Sequence, residues 1–392
     1  MLMRRYDFDK VYDRRNLSSC KWDVKPGELP LSMADMDLGC SDEILIAIKE
    51  RISKSNFGYT QPSDGWYDSY IRFFRERHHF EIDKSWMMFS TGVVPTISSS
   101  VRKLTKVGDN VVVLSPVYNI FYNSIINNQR KVYQVPLLRD GDHYHIDFDG
   151  LEKAFALEDT SMMIFCNPAN PVSRIWTRDE IIRIGQLAKK YHVVVLSDEI
   201  HCELTRPGTE YVPYCSVNED NLNNCVMAIA PTKSFNVAGI QTSAIVVANE
   251  ELRKKVCRQI NTDEVAEPNI LSCIVAEAAF NQSRDWLDEA REYIFENRKI
   301  VKEFLQKEIP MLHLIDGDAT YLLWIDISNI CESGEIFTEY LREQTGLILN
   351  PGEEYGLGGE GFVRMNVAYP KSVIMDALDR LKCGALSFLK LK

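Results

Sequence analysis

Two rhythms of apolar positions run through this chain. Between Asn110 and Val247, short apolar runs rich in β-branched residues recur: Asn110–Leu114, Met162–Phe165, Val193–Leu196, Cys225–Ile229 and Ser243–Val247. They are continuous rather than alternating, which predicts strands covered on both faces. Helical patterns separate them; Thr177-Arg-Asp-Glu180 is a capping box opening a helix that runs to Tyr191. Strands alternating with helices imply an α/β fold with a mostly parallel sheet. Upstream, the spacing predicts a helix from Ser41, its cap, to Ser53, with Ile44, Leu45, Ile48 and Ile52 on one face, and a second helix from Trp66 to His78. Leu31–Leu38 is a strand or loop between turn signals, and Asn56–Gly65 and Asn350–Gly359 are turn-rich loops. A long helix from about Trp286 to Lys307, then Tyr321–Asp326 and Phe362–Val367, predicts a smaller α+β unit.

A chain of 392 residues exceeds what one core usually holds, so two domains are expected. The boundaries are an N-terminal arm over 1–45 joining the small domain, a large domain over 46–285 and a small C-terminal domain over 286–392. Apolar residues make up 45% of the chain, and no stretch reaches the roughly 18–20 apolar residues of a membrane span. The N-terminus lacks the apolar core of a signal peptide. Ten cysteines without a CxxC pair predict free thiols in a reducing cytoplasm. A net charge of −11 argues against nucleic acid as a partner.

In such a sheet, ligands sit at the carboxyl ends of the strands. There stand Ser115-Pro-Val-Tyr118, Asn167-Pro-Ala-Asn-Pro171, Ser197-Asp-Glu-Ile-His201 and, after Cys225–Ile229, Ala230-Pro-Thr-Lys233. A lysine on such a turn forms a Schiff base with a carbonyl compound when its amine is kept neutral. Thr91-Gly-Val-Val-Pro95 reads as a loop feeding a helix N-terminus, where backbone N–H groups cradle phosphate.

Taken in order, these motifs resemble the fold type I pyridoxal-phosphate (PLP) enzymes of the class I/II aminotransferase group, and within it the cystathionine β-lyase-like C–S lyases. The resemblance spans nearly the whole chain, from Ala34-Asp-Met-Asp37 through Gly58-Tyr-Thr and Pro231-Thr-Lys-Ser-Phe-Asn-Val-Ala-Gly-Ile240 to Val363-Arg-Met-Asn-Val-Ala368. It implies a large domain with a seven-stranded, mostly parallel sheet. It implies that Lys233 holds PLP and then serves as base at the substrate Cα, that Asp198 pairs with the pyridine nitrogen, and that Asn170 donates to the ring oxygen. Tyr118 would stack on the ring and is a candidate proton donor. Val93 and Val94 backbone amides, with Thr232, would bind the phosphate. Tyr59 would reach the partner subunit's phosphate in a homodimer with shared sites, and Arg364, with Asn170 beside it, would hold the substrate carboxylate. His201, where the aminotransferases carry tyrosine, follows the lyases. Gln241 replaces the usual phosphate-binding arginine, and Ser32, Ala169 and Ser173 also depart from the lyase pattern. The Asp35–Asp37 pair reads as a fold element, and Cys166 and Cys202 as inert buried thiols. The activity implied is elimination of a thiol from cystathionine, cysteine or S-substituted cysteines. The alternatives are an aminotransferase, or a PLP-binding regulatory protein without turnover.

Overall fold

The computed structural model describes residues 5–391. Its centre is a seven-stranded sheet: β1 (Met87–Ser90), β2 (Asn110–Ser115), β3 (Lys131–Pro136), β4 (Thr160–Cys166), β5 (Val194–Asp198), β6 (Cys225–Ile229) and β7 (Ser243–Val246). The order across the sheet is β1-β7-β6-β5-β4-β2-β3. The pairs from β3 through β6 are parallel, while β7 runs antiparallel to both β6 and β1. All five apolar runs are strands of this sheet. Two strands are additional to them: the short β1 and the edge strand β3, whose residues are largely half-buried or exposed.

The capping box is formed: Thr177 and Glu180 cap each other at the start of Arg178–Tyr191. Ser41 caps α1 (Asp42–Ser53), accepting from the Ile44 amide. Only part of α1's apolar face is covered, because Ile44 is buried whereas Leu45, Ile46 and Ile52 are exposed. The second helix begins two residues earlier than the periodicity suggests, at Asp64 behind the Ser63 cap.

A second, four-stranded sheet contains β8 (His313–Ile315), β9 (Leu322–Asp326), β10 (Asn350–Pro351) and β11 (Phe362–Asn366), in the order β8-β9-β11-β10. The 25-residue helix Arg284–Glu308 leads into it. Part of the expected 350–359 loop is therefore strand, and a single tight turn, Gly352–Tyr355, follows it. The N-terminal segment joins this region: Leu29–Pro30 pairs in parallel with Leu347–Ile348, and the Asp37 amide donates to the Ala368 carbonyl at 2.9 Å. Leu31–Leu38 is irregular chain. No described helix is long and apolar enough to cross a membrane.

Candidate active site

Three adjacent parallel strands, β4, β5 and β6, end together. Asp198 is the last residue of β5, in register with Cys166 at the end of β4, and its carbonyl accepts from the Asn167 amide at 2.9 Å. Asn170 follows four residues after β4, and Lys233 four residues after β6. The continuous burial of these strands fixes where they end, so the polar residues just beyond them meet at one edge.

Asp198 is buried, and its carboxylate accepts from the Ile200 amide at 3.1 Å. Burial pushes its pKa up to about 6, against the pull of that hydrogen bond and of Lys233. Burial also pulls the Lys233 amine down to about 8, helped by the positive charges of Arg364 and Lys21 and opposed by Asp35 and Asp198. Lys233 Nζ donates to the Ala34 carbonyl, which also accepts from Tyr321 Oη at 3.1 Å. His201 is buried, held neutral by burial and by the nearby Lys233 and Arg364, and its Nδ1 has no partner. Tyr118 is half-buried, its hydroxyl pKa raised by burial.

Arg364 lies mid-strand in β11, where alternation sends Val363 and Met365 to one side and Arg364 and Asn366 to the other. Its guanidinium donates to Asn170 Oδ1 at 3.2 Å, to the Ser32 carbonyl at 2.8 Å and to Asn350 Oδ1 at 3.1 Å, and lies 4.9 Å from the Tyr355 ring centre. All three acceptors are neutral, and Arg364 Nε is buried without a partner. A buried guanidinium facing neutral acceptors is costly on its own and is suited to an arriving carboxylate.

The segment Ser32–Leu38 closes over this edge, and residues far from it in sequence hold it. Asn366 Nδ2 donates to the Met33 and Asp35 carbonyls, both at 2.7 Å. Asn236 accepts from the Met36 amide and donates to the Leu38 carbonyl. Asp35 and Asp37 pair with Arg14 and with Lys21, whose ammonium is buried against the Tyr369 ring. The acidic pair is thus a clamp for the segment. Asn167 likewise shapes its turn, donating to the Val212 carbonyl at 3.0 Å, and burial raises the Cys166 and Cys202 thiols beyond reactivity.

Val93 and Val94 open the helix Val93–Leu104 behind Gly92. Amides of a first helical turn have no intrahelical acceptor and attract anions. Thr232 is buried, as is Ser234, whose hydroxyl has no partner. Gln241 is exposed, in the left-handed region at φ 57°. Tyr59 does not join its own chain's site: its side chain is fully exposed.

A phosphorylated, protonatable heteroaromatic aldehyde fits this donor set. The buried acid is suited to a ring nitrogen, the lowered amine to the aldehyde, the helix terminus and the unpartnered Ser234 hydroxyl to phosphate, and Arg364 with its unpartnered Nε to a carboxylate. Lys233 also predicts how the cofactor-free protein responds to pH. Its folded value near 8 lies below the ordinary 10.5, so the unfolded chain binds more protons between those values. Stability of the cofactor-free protein is expected to rise as pH goes from about 8 to 10.5, and Lys233→Met should flatten that rise in denaturant titrations.

The chain belongs to the aminotransferase class I and II family, whose profile matches residues 27–381. Its fold is that of the fold type I PLP-dependent enzymes. Among its relatives is cystathionine beta-lyase PatB of Bacillus subtilis, 36% identical over 96% of this chain and 99% of that protein. The crystal structure of cystalysin from Treponema denticola, which contains a pyridoxal 5'-phosphate cofactor, superposes with a TM-score of 0.95 at 32% identity, covering 99% of this chain and 100% of that one. The PLP-bound C–S lyase from Staphylococcus hominis superposes with a TM-score of 0.91 at 29% identity, over 97% and 98% of the two chains.

Proposed function

We propose that this protein is a PLP-dependent C–S β-lyase that cleaves cystathionine, cysteine or other S-substituted cysteines to a thiol, pyruvate and ammonia. One observation carries the reading: a lysine with a lowered pKa, a buried aspartate and a buried arginine without a carboxylate partner converge at one sheet edge. The names of the similar lyases support the choice of reaction.

Bound PLP supplies an electron sink for the pair released at Cα. Lys233 would hold it and would serve as the base for the Cα proton; a pKa near 8 leaves much of the amine neutral for that task. Asp198 would keep the ring nitrogen protonated, Asn170 would donate to the ring oxygen, and the Val93 and Val94 amides with Thr232 would bind the phosphate. Asn170 has a second duty, since its Oδ1 orients Arg364. Arg364 fixes the α-carboxylate, which sets the Cα–H bond toward Lys233. The Cβ–S bond then breaks, sulfur leaves with the bonding pair, and Tyr118 or the Lys233 ammonium returns a proton to it. Water completes the release of pyruvate and ammonia. His201, buried and neutral, packs edge-on against Tyr321, whose hydroxyl shares the Ala34 carbonyl with Lys233. His201 thus helps to seat the cofactor without adding charge.

The decisive assay adds no keto acid. Cystathionine or an S-alkylcysteine should turn over many times, with thiol and pyruvate in step. Turnover that stops after about one equivalent per site, and resumes on adding keto acid, would make the protein an aminotransferase instead.

The protein is further read as a cytoplasmic homodimer, with the 1–45 arm and residues 286–392 forming one domain beside the 46–285 cofactor domain. Ten unbridged cysteines fit the compartment, and the pairing of Leu29–Pro30 with Leu347–Ile348 fits the division. The exposed apolar residues Leu45, Ile46, Ile52 and Phe57, followed by fully exposed Tyr59, fit a surface covered by a second copy. Tyr59→Phe is expected to weaken PLP retention about tenfold to a hundredfold, for one lost charge-assisted hydrogen bond of roughly 1.5–3 kcal/mol. A fully active monomer in sedimentation at assay concentration would end the dimer reading.

A further inference from the structure

The lyase reading leaves open which thiol-side substituent the site takes, and the arginine's neighbours bear on it. Asn350 Oδ1 accepts from Arg364 Nη2 at 3.1 Å, which fixes the amide so that Nδ2 faces the other way. There it donates to Glu354 Oε2, also at 3.1 Å. The carboxylate of Glu354 is therefore two hydrogen bonds and the width of one amide from the group that grips the substrate's α-carboxylate. Arg364 and Glu354 are close enough to act on each other electrostatically, yet Glu354's hydrogen bond is to the neutral Asn350 amide and it forms no ion pair with any described residue. Its like-charged neighbours are Glu335 and Glu353, and partial burial together with them raises its pKa. Glu353 is committed elsewhere, accepting from the Gly334 amide at 2.7 Å. Among the described residues neither end of the relay has a direct ion-pair partner: Arg364 Nε is unpartnered, and the only cation acting on Glu354 is Arg364, across the Asn350 amide.

A substrate that satisfies both carries a carboxylate at one end and an ammonium beyond its sulfur. We propose that Glu354 selects S-substituted cysteines whose thiol-side substituent ends in a cationic amine. This rests on the lyase reading for its substrates, and on the Arg364–Asn350–Glu354 relay for its direction. Substituents ending in a carboxylate are disfavoured by the same charge. The gain is bounded by solvent, since Glu354 is exposed, and pairs of that kind amount to a few-fold in affinity.

The test compares isosteres in the PLP-loaded enzyme. S-aminoethyl-L-cysteine is expected to exceed S-propyl-L-cysteine in kcat/KM by about fivefold, and Glu354→Gln should erase that ratio while leaving S-propyl-L-cysteine nearly unchanged. A binding readout runs beside it: L-lysine should perturb the cofactor absorbance at lower concentration than L-α-aminoheptanoate, by a similar factor that Glu354→Gln also removes. Equal values for the amine and the alkyl compounds in the wild-type protein, or a ratio that survives Glu354→Gln, would overturn the proposal. If no substrate releases thiol, the lyase reading fails on its own, and the ratio of the two binding constants still decides the role of Glu354.

Discussion

Lys233→Ala is expected to lower thiol release by at least about four orders of magnitude while leaving the fold intact. Two losses combine. On the proposed reading, the variant would lack the amine that anchors the carbonyl cofactor and the base for the Cα proton, a role that by itself contributes roughly 10²–10⁴-fold. The environment that lowers the amine's pKa is built by other residues: the Ser32–Leu38 segment, clamped by Arg14, Lys21, Asn236 and Asn366, buries Nζ and gives it the Ala34 carbonyl. None of these clamps depends on Lys233, so thermal unfolding of the cofactor-free variant should stay close to wild type or shift upward as a buried cation disappears. Borohydride treatment followed by peptide mass spectrometry provides the independent check. The wild-type protein should carry the reduced cofactor on the peptide containing Lys233, and the variant should carry none. A variant that is labelled to the same extent on another lysine, and remains active, would show that the assignment is wrong.

The legibility of this site in the sequence follows from how its residues are held. The candidates Asp198, Asn170 and Lys233 are conspicuous in the sequence because Asp198 ends an apolar run and the other two stand four residues past theirs, and burial on both faces makes these runs plain. The same burial hides direction: β7 is as apolar as the parallel strands β4, β5 and β6, so nothing in Ser243–Val246 marks it as antiparallel to both its neighbours. β3 is inconspicuous for the opposite reason, since an edge strand is only partly covered and admits Lys131, Gln134 and other polar residues. β1 has only four residues. The apolar stripe of α1 was legible as a stripe, but periodicity does not say what covers it; within one chain Leu45, Ile46 and Ile52 stay exposed. The clamps are not legible as clamps, although Asn236 and Asn366 lie inside the motifs Pro231–Ile240 and Val363–Ala368. Arg14, Lys21, Asn236 and Asn366 act on carbonyls and carboxylates that only the fold brings near, so no spacing betrays them. Asn350 and Tyr355, which frame Arg364, stand out in the sequence only as part of a turn-rich loop.

Arg364→Lys should raise KM by about a hundredfold for every amino acid substrate while leaving kcat much less changed. The wild-type guanidinium is already oriented by Asn170, Ser32 and Asn350, so an incoming carboxylate meets a fixed planar fork with an unpartnered Nε. A lysine ammonium keeps the charge but loses the paired geometry and leaves some of those acceptors unfilled; the loss of one or two charge-assisted hydrogen bonds, about 1.5–3 kcal/mol each, sets the expected size. A purely structural role for Arg364 would also weaken binding, so the measurement needs a ligand without the group in question. Absorbance titration with an amino acid and with the corresponding decarboxylated amine separates the two. Wild type should prefer the amino acid strongly, Arg364→Lys should lose most of that preference, and the affinity for the amine should move little. If the substitution weakens both ligands equally, Arg364 holds the site together rather than the carboxylate, and the substrate would have to be anchored by another group. The buried guanidinium without an anionic partner favours the first outcome, because a charge left that way in the interior is otherwise an uncompensated cost.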